Sequence, residues 1–322
     1  MRLLEESKAW ALRVVVRLLA PKPVLGQVPG WRFGIGEEVP TLPLRLRKWL
    51  WERGRQLGHL WVRLPWLDGL VVETRLGTDL SRCLFVSGSY EPNEFAWLGT
   101  LLEPGMNVLD VGANEGLYAL FAAQRVGAAG RVLAFEPSPR EFHVLERNLA
   151  LNGLSNVAVI RAAASDRDGA ARLRIAEADH AGQSTLGQFA YPIDQVGNET
   201  VRLRRIDGVV DELALDAIHL MKVDVEGAEV AVLRGAWETL ARDRPCLLIE
   251  VVDAALRGQG ASREELAHIL EQLGYQFFEF GPDGYPRKVE QLEVDGVNIA
   301  AVHESRAEAL ASVLTCGAVA RS

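Results

Sequence analysis

The stretch that decides the fold reads Val108-Leu-Asp-Val-Gly-Ala-Asn-Glu-Gly116. It begins in a short apolar strand, Asn107–Val111, and passes through a glycine-containing turn into an apolar helix over Leu117–Val126. A strand that ends in such a turn and opens a helix brings backbone N–H groups close to a bound ligand. Gly112 and Gly116 permit close approach, because a residue without a Cβ adopts positive φ at little steric cost. The stretch therefore predicts a ligand site at the first strand–helix turn of an α/β sheet.

The residues around this turn indicate the kind of ligand. The dinucleotide pattern G-x-G-x-x-G fails, because Asn114 and Leu117 stand where its second and third glycines belong. Asp110 lies at the strand end, where a carboxylate would repel a pyrophosphate but bind the ammonium of a methionine moiety. Glu136 ends the next strand, about 20 residues further on, where an acid accepts hydrogen bonds from ribose hydroxyls. The pattern favours S-adenosylmethionine; the alternatives are a structural turn capped by Asp110 and an exposed acid at Glu136.

The third strand of the pattern, at 157–162, is followed by Ala164-Ser-Asp166. In a doubly wound sheet this turn lies near the place of a nucleotide base. We expect Ser165 and Asp166 to contact adenine, with Asp166 accepting a hydrogen bond from the amino group. The alternative is that Asp166 is only a turn residue ahead of Asp168-Gly169.

Strand and helix patterns alternate from about residue 105. The predicted strands are Asn107–Val111, Arg131–Phe135, 157–162, 217–223, 246–252, Tyr275–Phe280 and Val297–His303, and the predicted helices are Leu117–Val126, Pro139–Leu151, 228–240 and 262–273. No helix separates the last two strands, which predicts an antiparallel pair. We expect an α/β, doubly wound, mostly parallel seven-stranded sheet with an antiparallel terminal strand at its edge. This Rossmann-like arrangement is typical of class I methyltransferases and not of dehydrogenases.

Two segments stand outside this alternation. The interval at about 167–216 is too long for an ordinary crossover and contains strand-like pieces at 171–175 and 200–205, so we expect an insertion near the ligand. We assign residues 1–84 to an N-terminal extension and residues 85–322 to a methyltransferase domain. The extension is expected to contain a helix over 3–19, an irregular stretch over 24–43, a basic helix over about 44–57 and strands within 61–75.

The extension differs in composition from the rest of the chain. Residues 1–66 hold 12 Lys or Arg against 5 Asp or Glu, whereas the whole chain has a net charge of -8. Six of the eight tryptophans lie in this stretch: Trp10, Trp31, Trp49, Trp51, Trp61 and Trp66. We expect its apolar residues to pack on the catalytic domain or on a second subunit in a homodimer. The alternative is contact with a membrane surface or a lipid-linked acceptor.

Composition also excludes some classes of function. The net charge of -8 argues against broad nucleic-acid binding, which normally needs a basic face. Cys83, Cys246 and Cys316 have neither zinc-like nor disulfide-framework spacing, which is typical of a reducing compartment. The apolar run at 11–20 is interrupted by Arg13 and Arg17 and is shorter than the roughly 20 residues that span a bilayer. We therefore expect a cytoplasmic protein.

Several blocks, spread over about residues 85–303, resemble the FkbM family of methyltransferases. They are Tyr90-Glu-Pro-Asn-Glu94, Leu102-Glu-Pro-Gly105, 108–118, Ala134-Phe-Glu-Pro-Ser138, Asn148-Leu-Ala-Leu-Asn-Gly153 and Lys222-Val-Asp-Val-Glu-Gly-Ala-Glu229. The resemblance implies a class I, S-adenosylmethionine-dependent O-methyltransferase that acts on hydroxyls of polyketides, sugars or glycans. The cofactor site that it implies contains Asp110, Gly112, Ala113, Asn114, Gly116, Tyr118, Glu136, Pro137, Ser165 and Asp166.

A hydroxyl acceptor benefits from a general base or a metal ion that lowers its pKa. Asp224 follows the predicted fourth strand, Glu226 lies in the next turn, and Glu250 lies late in the fifth strand, so these carboxylates are expected on one edge of the sheet. Asp224 serves as a base, a ligand or a structural acid, and Lys222 is expected to pair with one of the acids. His180, in the inserted loop, is a further candidate base. No metal-ligand spacing is evident; the alternative is a Mg²⁺ site formed by the three carboxylates.

The expected function is therefore O-methylation of a hydroxyl on a small metabolite, sugar or glycan, with S-adenosylmethionine as the cofactor. One alternative is a protein that binds S-adenosylmethionine but acts through its N-terminus, by contact with a membrane or a partner. Another is an NAD(P)-dependent oxidoreductase, which the broken glycine pattern and the antiparallel terminal strands both oppose.

Overall fold

The computed structural model describes residues 2–24, 41–58, 60–281, 284–308 and 310, with the backbone alone for residues 2–8. Most of the irregular stretch expected at 24–43 lies outside the described residues, as do Trp31, Pro282 and Cys316. No helix among the described residues is long and apolar enough to cross a membrane.

The described residues of the N-terminal extension form two helices and a β-hairpin, as predicted. Its elements are α1 (Arg2–Leu19), α2 (Leu42–Leu57), β1 (Trp61–Pro65) and β2 (Val71–Arg75). The Thr41 side chain accepts the amide of Leu44 and so caps the start of α2, and Gly58 ends the helix in the left-handed conformation. After β2 the chain forms α3 (Asp79–Ser81), a π-helical turn over 82–87 and α4 (Pro92–Leu101).

The remaining strands form a central sheet and a small second sheet. They are β3 (Asn107–Val111), β4 (Arg131–Phe135), β5 (Val157–Ile160), β6 (Ala163–Ala164), β7 (Gly169–Ala176), β8 (Gln195–Arg204), β9 (Leu220–Val223), β10 (Cys246–Val251), β11 (Tyr275–Phe280), β12 (Pro286–Val289) and β13 (Val297–His303). The spatial order of the central sheet is β12-β11-β13-β10-β9-β3-β4-β5. Strands β10, β9, β3, β4 and β5 are parallel, whereas β13 pairs antiparallel with both β10 and β11.

Helices cover both faces of the central sheet, which gives the molecule three layers. They are α5 (Leu117–Val126), α6 (Pro139–Leu151), α7 (Ile206–Glu212), α8 (Glu229–Gly235), α9 (Trp237–Asp243), α10 (Asp253–Gly258), α11 (Arg263–Gln272) and α12 (Glu304–Ala307). Successive strand residues point to opposite faces, so Val108 packs in a core with Leu120 of α5, while Leu109 packs in a second core with Leu233 of α8. The doubly wound α/β fold that the sequence predicts is confirmed.

The structure differs from the predicted sheet in two respects. The described residues form a central sheet of eight strands instead of seven, because Pro286–Val289 in the expected loop pairs with β11 as an edge strand. Proline is tolerated there because a residue at the start of an edge strand need not donate to a neighbour. The antiparallel terminal strand β13 was expected at the edge of the sheet. Instead it lies between β10 and β11 and is hydrogen-bonded to a strand on each side.

The predicted helix at 228–240 is broken into α8 and α9. Ala236 leaves the helical conformation with φ -113° and ψ 12°. The preceding Gly235 lies so close to the Ser165 carbonyl that a Cβ would be 1.9 Å from its oxygen. Close packing of these two backbones accompanies the break.

The predicted insertion contains a β-hairpin. Strands β7 and β8 pair antiparallel from Gly169 to Ala176, and β6 adds to β8 in a three-stranded sheet. Residues 177–194 connect the two long strands and include His180. Thr185 within this connection donates to the carbonyl of Glu226 at 2.8 Å, which ties the insertion to the turn after β9.

The extension shares one hydrophobic core with the central domain. Val16 of α1 and Leu50 of α2 belong to the same buried cluster as Phe121 of α5. Asparagines of α6 also hold the hairpin: Asn152 exchanges two hydrogen bonds of 2.8 Å with the backbone of Val71. Asn148 likewise accepts the Glu73 amide at 2.7 Å and donates to the Glu73 carbonyl at 3.2 Å. The backbone of β2 is therefore satisfied by side chains of the neighbouring helix.

Candidate cofactor and active site

The glycine turn after β3 is packed against the chain itself. Gly112 has φ +83°, and a Cβ there would lie 1.8 Å from the Asp224 carbonyl oxygen. The amides of Gly112 and Ala113 donate to the Phe135 carbonyl at 3.0 and 2.9 Å. Gly116 has φ +99° and lies against Leu145 of α6. The glycines thus allow three strand ends to meet, which brings their side chains to one edge of the sheet.

A cleft of about 1110 Å³, measured out to its open mouth, lies at this edge. Its walls come from the ends of β3, β4, β9 and β10, the inserted hairpin and the segment 79–91. Seven of its lining residues are acidic, namely Asp79, Glu91, Glu136, Glu141, Asp224, Glu226 and Glu250, and none of the described lining residues is Lys or Arg. The cleft is therefore acidic, which favours a cationic ligand over an anionic one.

Glu136 lies in the wall at the end of β4. Its two carboxylate oxygens accept the amides of Asn114 and Ser138, each at 2.8 Å. Burial, and then the neighbouring Glu141, raise the pKa of Glu136 to about 8 against the opposing effect of these hydrogen bonds. Each oxygen retains a lone pair that is able to accept a ligand hydroxyl. The nearby Asn114 Oδ1 is buried without a hydrogen-bond partner among the described residues.

Asp110 lies behind the turn and does not line the cleft. Its side chain is 1 % exposed, and neither oxygen has a hydrogen-bond partner in the described chain. Burial raises its pKa to about 6, although Lys222 acts in the opposite direction. The Lys222 ammonium lies 3.8 Å from Asp110 Oδ1 and 3.0 Å from Asp224 Oδ2, and it donates to the Gly112 carbonyl at 3.0 Å. The expected pairing of Lys222 with an acid is confirmed.

Asp224, Glu226 and Glu250 form a cluster at the cleft, which we call the carboxylate cluster. One oxygen of each lies within 4.8 Å of the others. Burial, followed by repulsion from Asp224, raises the pKa of both Glu226 and Glu250 well above the usual value. Lys222 is a buried cation whose pKa is raised because three carboxylates outweigh its own desolvation. The cluster therefore contains one acid in a salt bridge, Asp224, and two acids with raised pKa values, Glu226 and Glu250.

Glu229 holds the turn that carries this cluster. Its side chain accepts the amides of Val225 and Gly227 at 3.1 and 3.2 Å. These are the residues on either side of Glu226, which has φ +53°. Glu229 is buried and caps the turn, so it positions Glu226.

A second acidic group, Glu91, reaches the cleft from the segment before α4. Glu91 has φ +43°, accepts the Tyr118 hydroxyl and accepts Asn298 Nδ2 at 3.1 Å. Burial, with Glu94 and Asp224 as neighbours, raises its pKa to about 8. Tyr118 itself stacks on Phe95 with ring centroids 4.5 Å apart and supports Glu91 without lining the cleft. The sequence indicates Glu91 only as part of the block at 90–94.

His180 lies at the rim and is not a lining residue. Its Nδ1 is 2.7 Å from Asp79 Oδ2, and the adjacent Asp179 pairs with Arg55 of α2 at 2.5 Å. Between them, these two contacts connect the inserted loop to the N-terminal extension. The residues that follow, 181–184, form part of the cleft wall.

Ser165 and Asp166 lie in another cavity, beyond the wall formed by Leu186 and Ala228. The Ser165 amide donates to the Arg204 carbonyl at 3.0 Å, which draws the chain into the small sheet. The alanines at 162–164 line the main cleft instead. Of the predicted site residues, the structure brings together at the cleft Gly112, Asn114, Glu136, Pro137, Asp224, Glu226 and Glu250. It places Asp110, Ala113, Gly116, Tyr118, His180, Ser165 and Asp166 outside its lining.

Comparison with known proteins identifies a matching family and several relatives. Residues 110–277 match the family model of the methyltransferase FkbM domain. The chain is 32 % identical over 213 residues to methyltransferase sdnD of Sordaria araneosa, covering 55 % of this chain and 78 % of that protein. It is 32 % identical over 198 residues to the 31-O-demethyl-FK506 methyltransferase FkbM of Streptomyces tacrolimicus, covering 50 % and 75 %.

A third relative is far longer. The chain is 29 % identical over 212 residues to the AMB antimetabolite synthetase AmbE of Pseudomonas aeruginosa, a match that covers 55 % of this chain but 10 % of that protein. The matched family region contains the glycine turn, Glu136 and the carboxylate cluster. The chain belongs to the FkbM family of S-adenosylmethionine-dependent methyltransferases.

Proposed function

We propose that this protein transfers a methyl group from S-adenosylmethionine to a hydroxyl of a small metabolite, sugar or glycan. The observation that carries the proposal is the carboxylate cluster, which lies in the same cleft as the glycine turn and Glu136. A hydroxyl must lose its proton when it is methylated, and a carboxylate beside the acceptor is able to take that proton. The Streptomyces tacrolimicus relative is a methyltransferase for an O-demethyl compound, which supports an oxygen acceptor.

The polar groups around the turn fit the cofactor. Glu136 has lone pairs free for ribose hydroxyls, and the unpartnered Asn114 Oδ1 offers an acceptor for an N–H or O–H group of the ligand. Asp110 adds a buried negative charge behind the turn, on the side where a bound ammonium would be favoured. When it is bound, S-adenosylmethionine supplies a methyl group on a positively charged sulfur. The acidic lining favours this cation over an anionic dinucleotide.

Within the carboxylate cluster we assign different roles to the acids. The Lys222 ammonium lies 3.0 Å from Asp224 and pairs with it, so we assign Asp224 to orienting the cluster. Glu250 and Glu226 have raised pKa values, and a carboxylate with a higher pKa is the stronger base toward a hydroxyl proton. We assign the general base to Glu250, which lies on the rigid strand β10, and propose that Glu226 shares the proton.

A second route is favoured by one specific observation. Three carboxylate oxygens within 4.8 Å of one another are able to coordinate a divalent cation, which would lower the pKa of the acceptor hydroxyl directly. Turnover measured after removal of metal with EDTA, and again after addition of Mg²⁺, separates the two routes. Full turnover in EDTA supports Glu250 as the base, whereas turnover that needs Mg²⁺ supports the metal route.

The function is tested by calorimetric titration with S-adenosylmethionine, followed by incubation with a panel of hydroxylated acceptors and measurement of S-adenosylhomocysteine. We expect binding with the wild type, loss of binding with Asp110→Ala, and retained binding without turnover with Asp224→Asn. Glu293→Gln, an exposed acid outside the cleft, is the matched control. Loss of binding with Asp224→Asn would refute its assignment to the transfer step, and a product methylated on nitrogen or carbon would refute the hydroxyl acceptor.

A further inference from the structure

Helix α1 carries two apolar faces. One face packs on the core through Leu12, Val16 and Leu19. The other is the row Trp10, Val14 and Leu18, spaced four residues apart, with Trp10 65 % exposed and Leu18 78 % exposed. A surface helix of a globular protein normally has a polar outer face, so an apolar outward row is unusual.

Helix α2 repeats this arrangement. Its buried side contains Leu50, Trp51 and Gly54. Its exposed apolar residues are Leu42, at 79 %, Leu46, Trp49, at 58 %, and Leu57. The two helices contact each other in the extension. We call the exposed apolar residues of α1 and α2, together with the cations beside them, the outer surface.

The outer surface is strongly basic. Residues 9–24 and 41–58 hold eight Lys or Arg and a single acid, Glu52, although the whole chain has a net charge of -8. Arg17, Arg45 and Lys48 are exposed and directly precede or follow the exposed apolar residues in sequence. Long cationic side chains beside tryptophan and leucine are typical of helices that lie in the interface of a bilayer.

We propose that the outer surface docks on an anionic phospholipid bilayer. Acidic headgroups match its charge, and the acyl boundary accommodates the exposed tryptophans and leucines. A symmetric pair of chains joined through the outer surface would place the two basic patches against each other. This repulsion disfavours a second copy as the occupant. The inference stands independently of the methyl-transfer proposal.

Vesicle flotation with the full chain tests the inference. The probe is phosphatidylcholine vesicles with and without phosphatidylglycerol, at low and high salt. We expect binding to the vesicles that contain phosphatidylglycerol, weakened by salt. Combined Arg17→Gln, Arg45→Gln and Lys48→Gln substitutions should weaken binding on the order of a hundredfold, and Trp10→Ala with Trp49→Ala should weaken it at least about tenfold.

Matched controls come from elements outside the N-terminal extension. Trp237→Ala removes a tryptophan that is 40 % exposed on α9, and Arg172→Gln with Arg202→Gln and Lys288→Gln removes three exposed cations. Both controls should bind vesicles as the wild type does. Absence of binding to anionic vesicles, or equal weakening by the controls, would overturn the proposal. A dimer in sedimentation that Trp10→Ala and Trp49→Ala dissociate, without vesicle binding, would assign the outer surface to a second copy.

Discussion

Lys222 stands between two carboxylates, 3.0 Å from that of Asp224 and 3.8 Å from that of Asp110. All three side chains lie on adjacent strands or their ends, and Lys222 and Asp110 are almost fully buried. The lysine therefore balances charge on both sides of the glycine turn. Its removal would leave the two acids without their shared cation.

We expect Lys222→Met to lower the free energy of unfolding by about 3–5 kcal/mol, the usual cost of removing one partner of a buried ion pair. Urea denaturation followed by circular dichroism measures the change. Arg234→Gln is the control, since Arg234 pairs with Glu265 on the surface and its loss should cost about 0–1 kcal/mol. Equal effects of the two substitutions would show that Lys222 has no special role.

Glu250→Gln should reduce kcat by roughly a hundredfold to ten-thousandfold, because the proposed base loses its ability to accept a proton. The Kd for S-adenosylmethionine should change little. In the wild type, the rate should rise with pH through a pKa above the usual glutamate range, since Glu250 must be ionised to act and its pKa is raised. The measurement is kcat against pH for both proteins. If kcat of the Glu250→Gln variant still increased with pH as in the wild type, Glu250 would be excluded as the base.

Without cofactor, the protein should become less stable as pH rises from about 5 to about 8. Burial raises the pKa of Asp110 to about 6, of Glu115 and Glu229 to about 7, and of Glu91 and Glu136 to about 8. Above their ordinary values these groups keep protons in the folded state that they lose in the unfolded state. Folding then binds protons, and a rise in pH opposes it.

Thermal unfolding across a series of buffers measures this slope. Glu115→Gln removes one of the buried acids and should make the slope shallower. Glu238→Gln alters an exposed acid and should leave it unchanged. A Tm that stays constant or increases over the same pH range would contradict proton uptake by these carboxyls on folding.

Gly112→Ala should destabilise the fold by more than about 2 kcal/mol, because its Cβ would lie 1.8 Å from the Asp224 carbonyl oxygen. Gly105→Ala separates this clash from the cost of positive φ alone. Gly105 has φ +90° and open space around it, so its substitution should cost about 1–2 kcal/mol. Equilibrium denaturation compares the two, and similar losses would mean that the backbone conformation dominates at both positions.

The parallel sheet and its helices were predictable from the sequence, because an apolar strand such as β3 and the helix that follows it, α5, can be recognised from neighbouring residues alone. The pairing of Pro286–Val289 was not, since Gly281, Gly284 and Pro286 there indicate a loop. Antiparallel pairing at an edge needs only a neighbouring backbone, which leaves little trace in the side-chain pattern.

The candidate site was predictable where residues end parallel strands, as Glu136 and Asp224 do. Ser165 and Asp166 follow the same logic but lie outside the cleft, because after β6 the Ser165 amide bonds to the Arg204 carbonyl of β8. Glu91 was not predictable as a separate group. Its contact with Asn298 joins residues 207 positions apart, which no local pattern records.

The asparagine contacts between α6 and β2 bear on how the molecule unfolds. Helix α6 begins beside Ser138, next to Glu136, and ends beside Asn152, which holds the hairpin of the extension. One helix thus links the wall of the cleft to the N-terminal hairpin. If the hairpin unfolds, the C-terminal end of that helix loses its hydrogen bonds to the hairpin. The extension and the cleft should therefore unfold in a single cooperative transition. In this protein the N-terminal extension is also part of the structure that supports the cleft.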